Sequence, residues 1–97
     1  MIQTATVDGR TSVALEGNIG VDEVEPLQKA LDAAVAKGAM EVDLAPCRSL
    51  SSSAIGALIA CHNTLRAKGG RLTVRGASDD MKRLLKLMGL DRHFELV

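Results

Sequence analysis

The stretch MEVDLAPCRSLSSSAIGALIACHNTLRAKGGRLTVR, residues 40–75, decides the fold. It opens with Met40, Val42 and Leu44 alternating with Glu41 and Asp43, the two-residue period of a short strand with one buried face. A loop around Pro46 follows. After Ser51-Ser52-Ser53 an apolar helix runs to about Ala67. Its inward stripe is Ile55, Leu58, Ile59, His62 and Leu65, widened by Ala54, Ala57 and Cys61. Gly69-Gly70 turns the chain into a second strand, Arg71 to Arg75, with Leu72 and Val74 inward. Strand, helix and strand in that order need a crossover, so this part of the sheet is parallel and the helix covers a face of it.

The flanks extend the same pattern. Downstream, Ser78 is a helix N-cap, and Asp79 and Asp80 in the first turn suit the helix dipole. Met81, Leu84, Leu85 and Met88 recur at helical spacing, Gly89 ends the helix, and Phe94 to Val97 read as a docked edge segment. Upstream, residues 11 to 16 place Val13 and Leu15 on one side of a strand. Residues 2 to 7 form a weaker strand that pairs with it through Asp8-Gly9, a strong hairpin signal. Gly17 to Val21 read as a loop. A helix from about Glu23 to Lys37 carries Val24, Leu27, Leu31, Ala34 and Val35 on one stripe, with Asp22 as cap and Glu25 as its capping-box partner. Pro26 is tolerated only near the first turn, and Gly38 ends the helix. The order is strand, strand, helix, strand, helix, strand, helix, tail: a small α/β domain over residues 1–97.

Composition narrows the function classes. The chain has 97 residues, 12 Lys plus Arg against 12 Asp plus Glu, and one aromatic residue of the Phe, Trp and Tyr kinds, Phe94. A balanced charge and the lack of a stacking platform argue against nucleic-acid binding. No apolar run approaches the roughly 20 residues that span a bilayer, so no direct membrane insertion is expected. The N-terminus lacks a basic region followed by an apolar run, so the chain reads as cytoplasmic. Cys47 and Cys61 make no C-x-x-C pair and read as reduced, buried thiols.

No enzyme is legible. There is no P-loop pattern, and the glycines at 17, 20, 69 and 70 read as turn residues. Cys61 and His62 are neighbours on a helix and point about 100° apart, so they share neither a metal nor a proton easily. Asp43, Asp79 and Asp80 show no paired acid or base. No cofactor and no metal are expected. What remains is Ser51-Ser52-Ser53 at a loop-to-helix junction. One serine is explained by capping alone. Three place extra hydroxyls beside free N–H donors at the positive end of a helix dipole, where an added phosphate is easily held.

Several motifs then agree at once. Val42-Asp43-Leu44 followed by Leu50-Ser51-Ser52-Ser53-Ala54-Ile55-Gly56-Ala57-Leu58 resembles the STAS signature, a "VDLS" strand and then "(M/I)DSSGLGxL" opening a helix. Ala67-Lys68-Gly69-Gly70-Arg71-Leu72 resembles the family's "xxGGxL". Ser78 to Phe94, with Lys82-Arg83-Leu84-Leu85 and Met88-Gly89-Leu90-Asp91, is similar to its "S(P)xVxRLLxLxGLDxxF" ending, and Leu15-Glu16-Gly17-Asn18-Ile19 sits where the family has "LxGxLD". The resemblance runs the length of the chain.

It implies an α/β fold with a small mixed sheet of about four to five strands and about three to four helices packed mainly on one side. It also implies an anti-sigma-factor antagonist that works by partner switching in transcription regulation. The unphosphorylated form binds an anti-sigma factor that is also a serine kinase, ATP-dependent phosphorylation releases it, and a PP2C-type phosphatase resets it. The phosphoacceptor falls on Ser53, with Ser52 beside it, and the partner-binding residues on Asn18, Gly20, Ser51, Ser52, Ser53, Ala54 and Ile55. Family members also serve as STAS subunits of membrane transport complexes, for lipids or anions, without a phosphorylation cycle. The chain departs from the pattern at Ser51 and Gly20, which stand for aspartates, and at Ala54, which stands for glycine. The first two remove carboxylates from the expected binding surface.

Overall fold

The structure is a computed structural model whose described residues are 1–7, 10–36 and 40–97, without the side chains of Val7, Arg10 and Met40. The expected features at Asp8-Gly9, Lys37 and Gly38 therefore lie outside the described residues. Strands β1 (Ile2–Val7) and β2 (Arg10–Leu15) form the antiparallel pair that the alternation of Val13 and Leu15 implied. Beyond them come β4 (Met40–Asp43), β6 (Thr73–Arg75) and β7 (Glu95–Leu96), all parallel to β2. The sheet order is β1-β2-β4-β6-β7, a mixed sheet of five strands.

Register explains why the helices gather on one face. Val13 lies opposite Val42, and Val42 opposite Val74, so the three branched side chains form one row across the middle of the sheet. Each is at most 1 % exposed. The alternate positions Ser12, Ala14, Glu41, Asp43 and Thr73 are half-buried, and Arg75 is exposed, so the other face meets water. On that face Arg75 Nε contacts Glu41 Oε1 at 3.1 Å. Helices α1 (Val24–Ala36) and α2 (Ser52–Ala67) pack against each other over the apolar face. Leu27, Leu31, Ala34 and Val35 of α1 are buried as expected, whereas Val24 at its start and Ile59 on α2 are only half-buried. Helix α3 (Asp79–Leu87) turns Met81 and Leu85 inward. Its Leu84 and Met88 share the helical spacing but stand on the outer face. Ser78 caps α3 as the sequence implied, its hydroxyl accepting from the Met81 amide at 3.2 Å.

Three local expectations are corrected. Gly17 to Val21 is not simply a loop: Gly17–Ile19 is strand β3, paired in parallel with β5, Cys47–Leu50. Gly17 adopts φ +77°, which lets the chain swing out of the five-stranded sheet into this second ribbon. The start of the first helix differs too. A 3-10 turn, Val21–Glu23, precedes α1, with Gly20 at its cap position and no side-chain capping bond, so Asp22 lies within the first turn and does not cap it. Pro26 then falls in the first turn of α1, where its missing N–H costs nothing. Finally, the last strand before α3 begins at Thr73, leaving Arg71 and Leu72 in the approach.

The C-terminus docks through Phe94, which is 1 % exposed, and through Arg71. The guanidinium donates from Nε to the His93 carbonyl at 2.9 Å and from Nη2 to the Phe94 carbonyl at 3.1 Å. His62 on α2 meets this segment edge-on: its ring centroid is 5.6 Å from that of Phe94 and 5.6 Å from that of His93. The imidazole is buried and its Nδ1 has no hydrogen-bond partner among the described residues. Burial above all, then the charges of His93, Arg66 and Arg71, hold its pKa below the ordinary 6.5. In the unfolded chain that ordinary value returns, so below pH 6.5 the unfolded state takes up a proton that the folded state refuses. The neutral histidine thus supports the fold above 6.5, and that support is lost as pH falls toward the lowered folded value. Urea midpoints of the wild type are expected to drop more steeply than those of His62→Leu between about pH 7.5 and about pH 5.5. Equal slopes would show that His62 plays no such part.

Candidate functional site

The β3–β5 ribbon, invisible as a strand pair in the sequence, is what builds the serine tip. Asn18 lies opposite Ser49 and Ile19 opposite Leu50, so the two chains leave the ribbon side by side. One continues through Gly20 into the 3-10 turn, the other through Ser51 into α2. The Ser49 hydroxyl donates to Asn18 Oδ1 at 2.8 Å, and the Ser51 amide donates to the Ile19 carbonyl at 2.8 Å. These two bonds tie the Asn18–Gly20 segment to the start of α2. The 3-10 turn also packs against α2.

Ser51 is the N-cap. Its backbone is extended, φ −70° and ψ 161°, and its Oγ accepts from the Ala54 amide at 3.1 Å. A serine and an aspartate do the same capping work. The departure from the family pattern at this position therefore keeps the helix start and removes only the charge. Ser52 and Ser53 occupy the first two helical positions, where helix geometry leaves the backbone amides without an intrahelical acceptor. Both side chains are exposed. A group attached to either hydroxyl thus lies beside unused N–H donors and the positive end of the α2 dipole.

Of the residues expected to meet a partner, the structure gathers Asn18, Gly20, Ser51, Ser52 and Ser53 at one tip, with Asn18, Ser52 and Ser53 exposed. Ala54 and Ile55, also expected there, are 0 % and 4 % exposed, because the third and fourth positions of α2 face the core. Val21, 71 % exposed in the 3-10 turn, is a tip residue that sequence reasoning missed. The available signal was an apolar residue just after Gly20 that belongs to no buried stripe. Gly56, one turn beyond Ser52, is exposed with open space where a Cβ would stand. At Gly20 a Cβ would meet the Asp22 carboxylate at 3.0 Å, so a larger residue there needs only that side chain to swing aside.

Burial keeps both thiols protonated. Cys47 and Cys61 are both buried, and burial, with the Asp32 charge, pushes the Cys61 thiol up to about 11. Among the described residues no group of His, Cys, Asp and Glu is placed to hold a metal ion. No helix among them is long and apolar enough to cross a membrane.

Residues 2–97 match the family model described as "Mlab, STAS domain". The chain belongs to the STAS-domain family. An anti-sigma factor antagonist from Mycobacterium paratuberculosis is 26 % identical and superposes with TM-score 0.86, over 99 % of this chain and 83 % of that one. Unphosphorylated SpoIIAA, an anti-sigma factor antagonist, gives TM-score 0.80 at 18 % identity, over 100 % of this STAS domain and 87 % of its own chain. Bacillus SpoIIAA in its phosphorylated form gives 0.79 at 20 %, over 100 % and 91 %. A sulfate transporter family protein from Wolinella succinogenes gives 0.72 at 16 %, over 91 % and 73 %. At such identities the last three likenesses speak for the fold alone. No curated protein matches the chain by sequence.

The capping role of Ser51 is testable. Ser51→Ala is expected to lower stability by about 1 kcal/mol, read as a fall in the urea midpoint at unchanged slope, while Ser51→Asp keeps the wild-type midpoint. A silent Ser51→Ala would mean that the cap bond contributes nothing.

Proposed function

We propose that this STAS domain is an anti-sigma-factor antagonist, a binding switch set by phosphorylation of Ser53. The observation that carries the reading is the exposed pair Ser52-Ser53 in the first turn of a helix whose cap is already filled by Ser51. The acceptor hydroxyl is therefore not needed to hold the fold. The unphosphorylated tip binds an anti-sigma factor that is also a serine kinase. That kinase transfers the terminal phosphoryl group of ATP to Ser53 Oγ, with Ser52 as the neighbouring acceptor, and then releases the product. A PP2C-type phosphatase restores the binding form. The contact surface is Asn18, Gly20, Ser51, Ser52 and Ser53, with Val21 beside them. The protein acts in the cytoplasm as one domain, as a binding partner and not as an enzyme, without entering the membrane. Similarity to proteins described as anti-sigma factor antagonists supports the reading.

The physical basis is local. A phosphoserine adds about −1.5 to −2 charges and strong acceptor oxygens. Buried under a docked partner, it costs desolvation and meets groups chosen for a neutral hydroxyl. A difference of ~3 kcal/mol weakens binding more than a hundredfold.

A second reading rests on the likeness to the sulfate transporter family protein: a STAS subunit of a membrane transport complex that works without a phosphorylation cycle. The exchange of aspartate for Ser51 and Gly20 fits it, since a kinase partner loses two carboxylates to recognise.

Intact-mass analysis before and after incubation with ATP and the host's soluble extract separates the two. One added phosphate, mapped to Ser53 or Ser52, is expected. Ser53→Asp is expected to lose the kinase by about a hundredfold in affinity and Ser53→Ala to keep it, both with wild-type circular dichroism. An unmodified chain that sediments with membranes through a partner would favour the transport subunit, and Ser53→Asp binding as tightly as wild type would sink the switch.

A further inference from the structure

The two edges of the five-stranded sheet are built differently. At one edge β7 is two residues long and begins with Glu95, and a short, charged edge offers little to another strand. At the other, β1 runs six residues, Ile2-Gln3-Thr4-Ala5-Thr6-Val7. It carries no charge and no proline, and its register against β2 is unbroken from Ile2 to Val7, without a bulge. Gln3, Thr4, Ala5 and Thr6 are all exposed, although α1 approaches the strand. None of the devices that normally blunt an edge is present on this strand.

Main-chain parity shows which groups are unused. The Met1 ammonium donates to the Glu16 carbonyl and the Glu16 amide to the Met1 carbonyl, each at 2.7 Å, so Met1 and Glu16 are a hydrogen-bonded pair. Bonded and non-bonded pairs alternate along an antiparallel ladder. Gln3 opposite Ala14 and Ala5 opposite Ser12 are therefore bonded within the hairpin, and Ile2, Thr4 and Thr6 turn their N–H and C=O groups away from β2.

We propose that this free edge pairs with the same edge of a second copy of the chain, antiparallel, about a two-fold axis at Thr4. Thr4 of one copy then faces Thr4 of the other, and Ile2 faces Thr6. Every outward group finds its complement in that register, each facing pair exchanging both hydrogen bonds. The occupant is argued from the strand itself. Its outward-bonding residues are self-complementary, threonine opposite threonine is a favourable cross-strand pair, and the strand carries no charged side chain to oppose its own copy. The pairing is isologous, so it closes at a dimer, and the joined sheet ends in the short β7 edge on both sides. This surface lies in the five-stranded sheet and the serine tip on the β3–β5 ribbon, although the Met1 ammonium just before β1 reaches Glu23 of the 3-10 turn at 3.4 Å.

Sedimentation velocity over a concentration series of the whole chain tests it. The wild type is expected to pass from monomer to dimer, with amide exchange at Ile2, Thr4 and Thr6 slowing in the dimer. Thr4→Pro deletes an outward N–H, a change an edge strand tolerates, and Thr4→Lys sets two ammonium groups across the axis. Both are expected to weaken dimerisation at least tenfold with unchanged circular dichroism, and Thr4→Ser is expected to keep it. If Thr4→Pro does not fold, Thr4→Lys decides. A wild type that stays monomeric throughout overturns the proposal, as does a dimer that survives both variants or an association that grows past two copies.

Discussion

The row Val13–Val42–Val74 is the constraint on which the other parts of the molecule depend. Three central strands bring these side chains together in parallel register, and each parallel connection here is made by a helix crossing back over the sheet. Because the alternate residues are Ser12, Glu41, Thr73 and Arg75, the crossings have one face to use. Helices α1 and α2 therefore share that face and pack on each other as well as on the strands. A fully buried branched side chain contributes roughly 1.5–3 kcal/mol, and a chain of this length has little stability beyond such terms. The molecule is committed to one side. Its other face remains a polar surface, and its ends must be secured separately, by Phe94 and Arg71 at the C-terminus and by the β3–β5 ribbon at the start of α2.

That ribbon turns a structural need into a site. A helix that begins where a strand ends has orphan amides at its first turn, and something must fix where it starts. Ser51 does both jobs, donating backward to Ile19 and accepting forward from Ala54. With the junction held at Ser51, the following two serines carry no structural duty. Gly20 caps the 3-10 turn without a side chain, and Ala54 places its methyl in the core. The three departures from the family's pattern thus each keep the local geometry. Those at Ser51 and Gly20 change the charge of the tip.

How much of this was legible follows from the range of the forces involved. The β4–α2–β6 unit was legible because its periods, two residues and then 3.6, are written in consecutive side chains. So were the hairpin strands and the Ser78 cap, which are local chemistry. The β3–β5 ribbon was not. Gly17-Asn18-Ile19 is too short to show a period, and Cys47 to Leu50 does not alternate cleanly between buried and exposed. Its existence depends on two segments about thirty residues apart meeting at Asn18 and Ser49, which no local pattern encodes. The same limit explains the site. A motif names Ser51 to Ile55 as a block, but only the turn of the helix decides that Ser52 and Ser53 face water while Ala54 and Ile55 face the core. Spacing alone likewise could not tell Leu85, which is buried, from Leu84, which is not.

The tip's electrostatics bear on how a phosphate would be read there. The helix dipole and the unused Ser52 and Ser53 amides attract an anion to the α2 start, while the adjoining 3-10 turn carries Asp22 and Glu23. Glu23 is partly neutralised by the Met1 ammonium at 3.4 Å; Asp22 is exposed. A phosphate on Ser53, as proposed, would meet the attraction of the helix start and the repulsion of the acidic turn beside it. The proposed switch at this junction acts through the surface it presents, because the cap bond belongs to Ser51 and the core contact to Ala54, and neither uses the Ser53 hydroxyl.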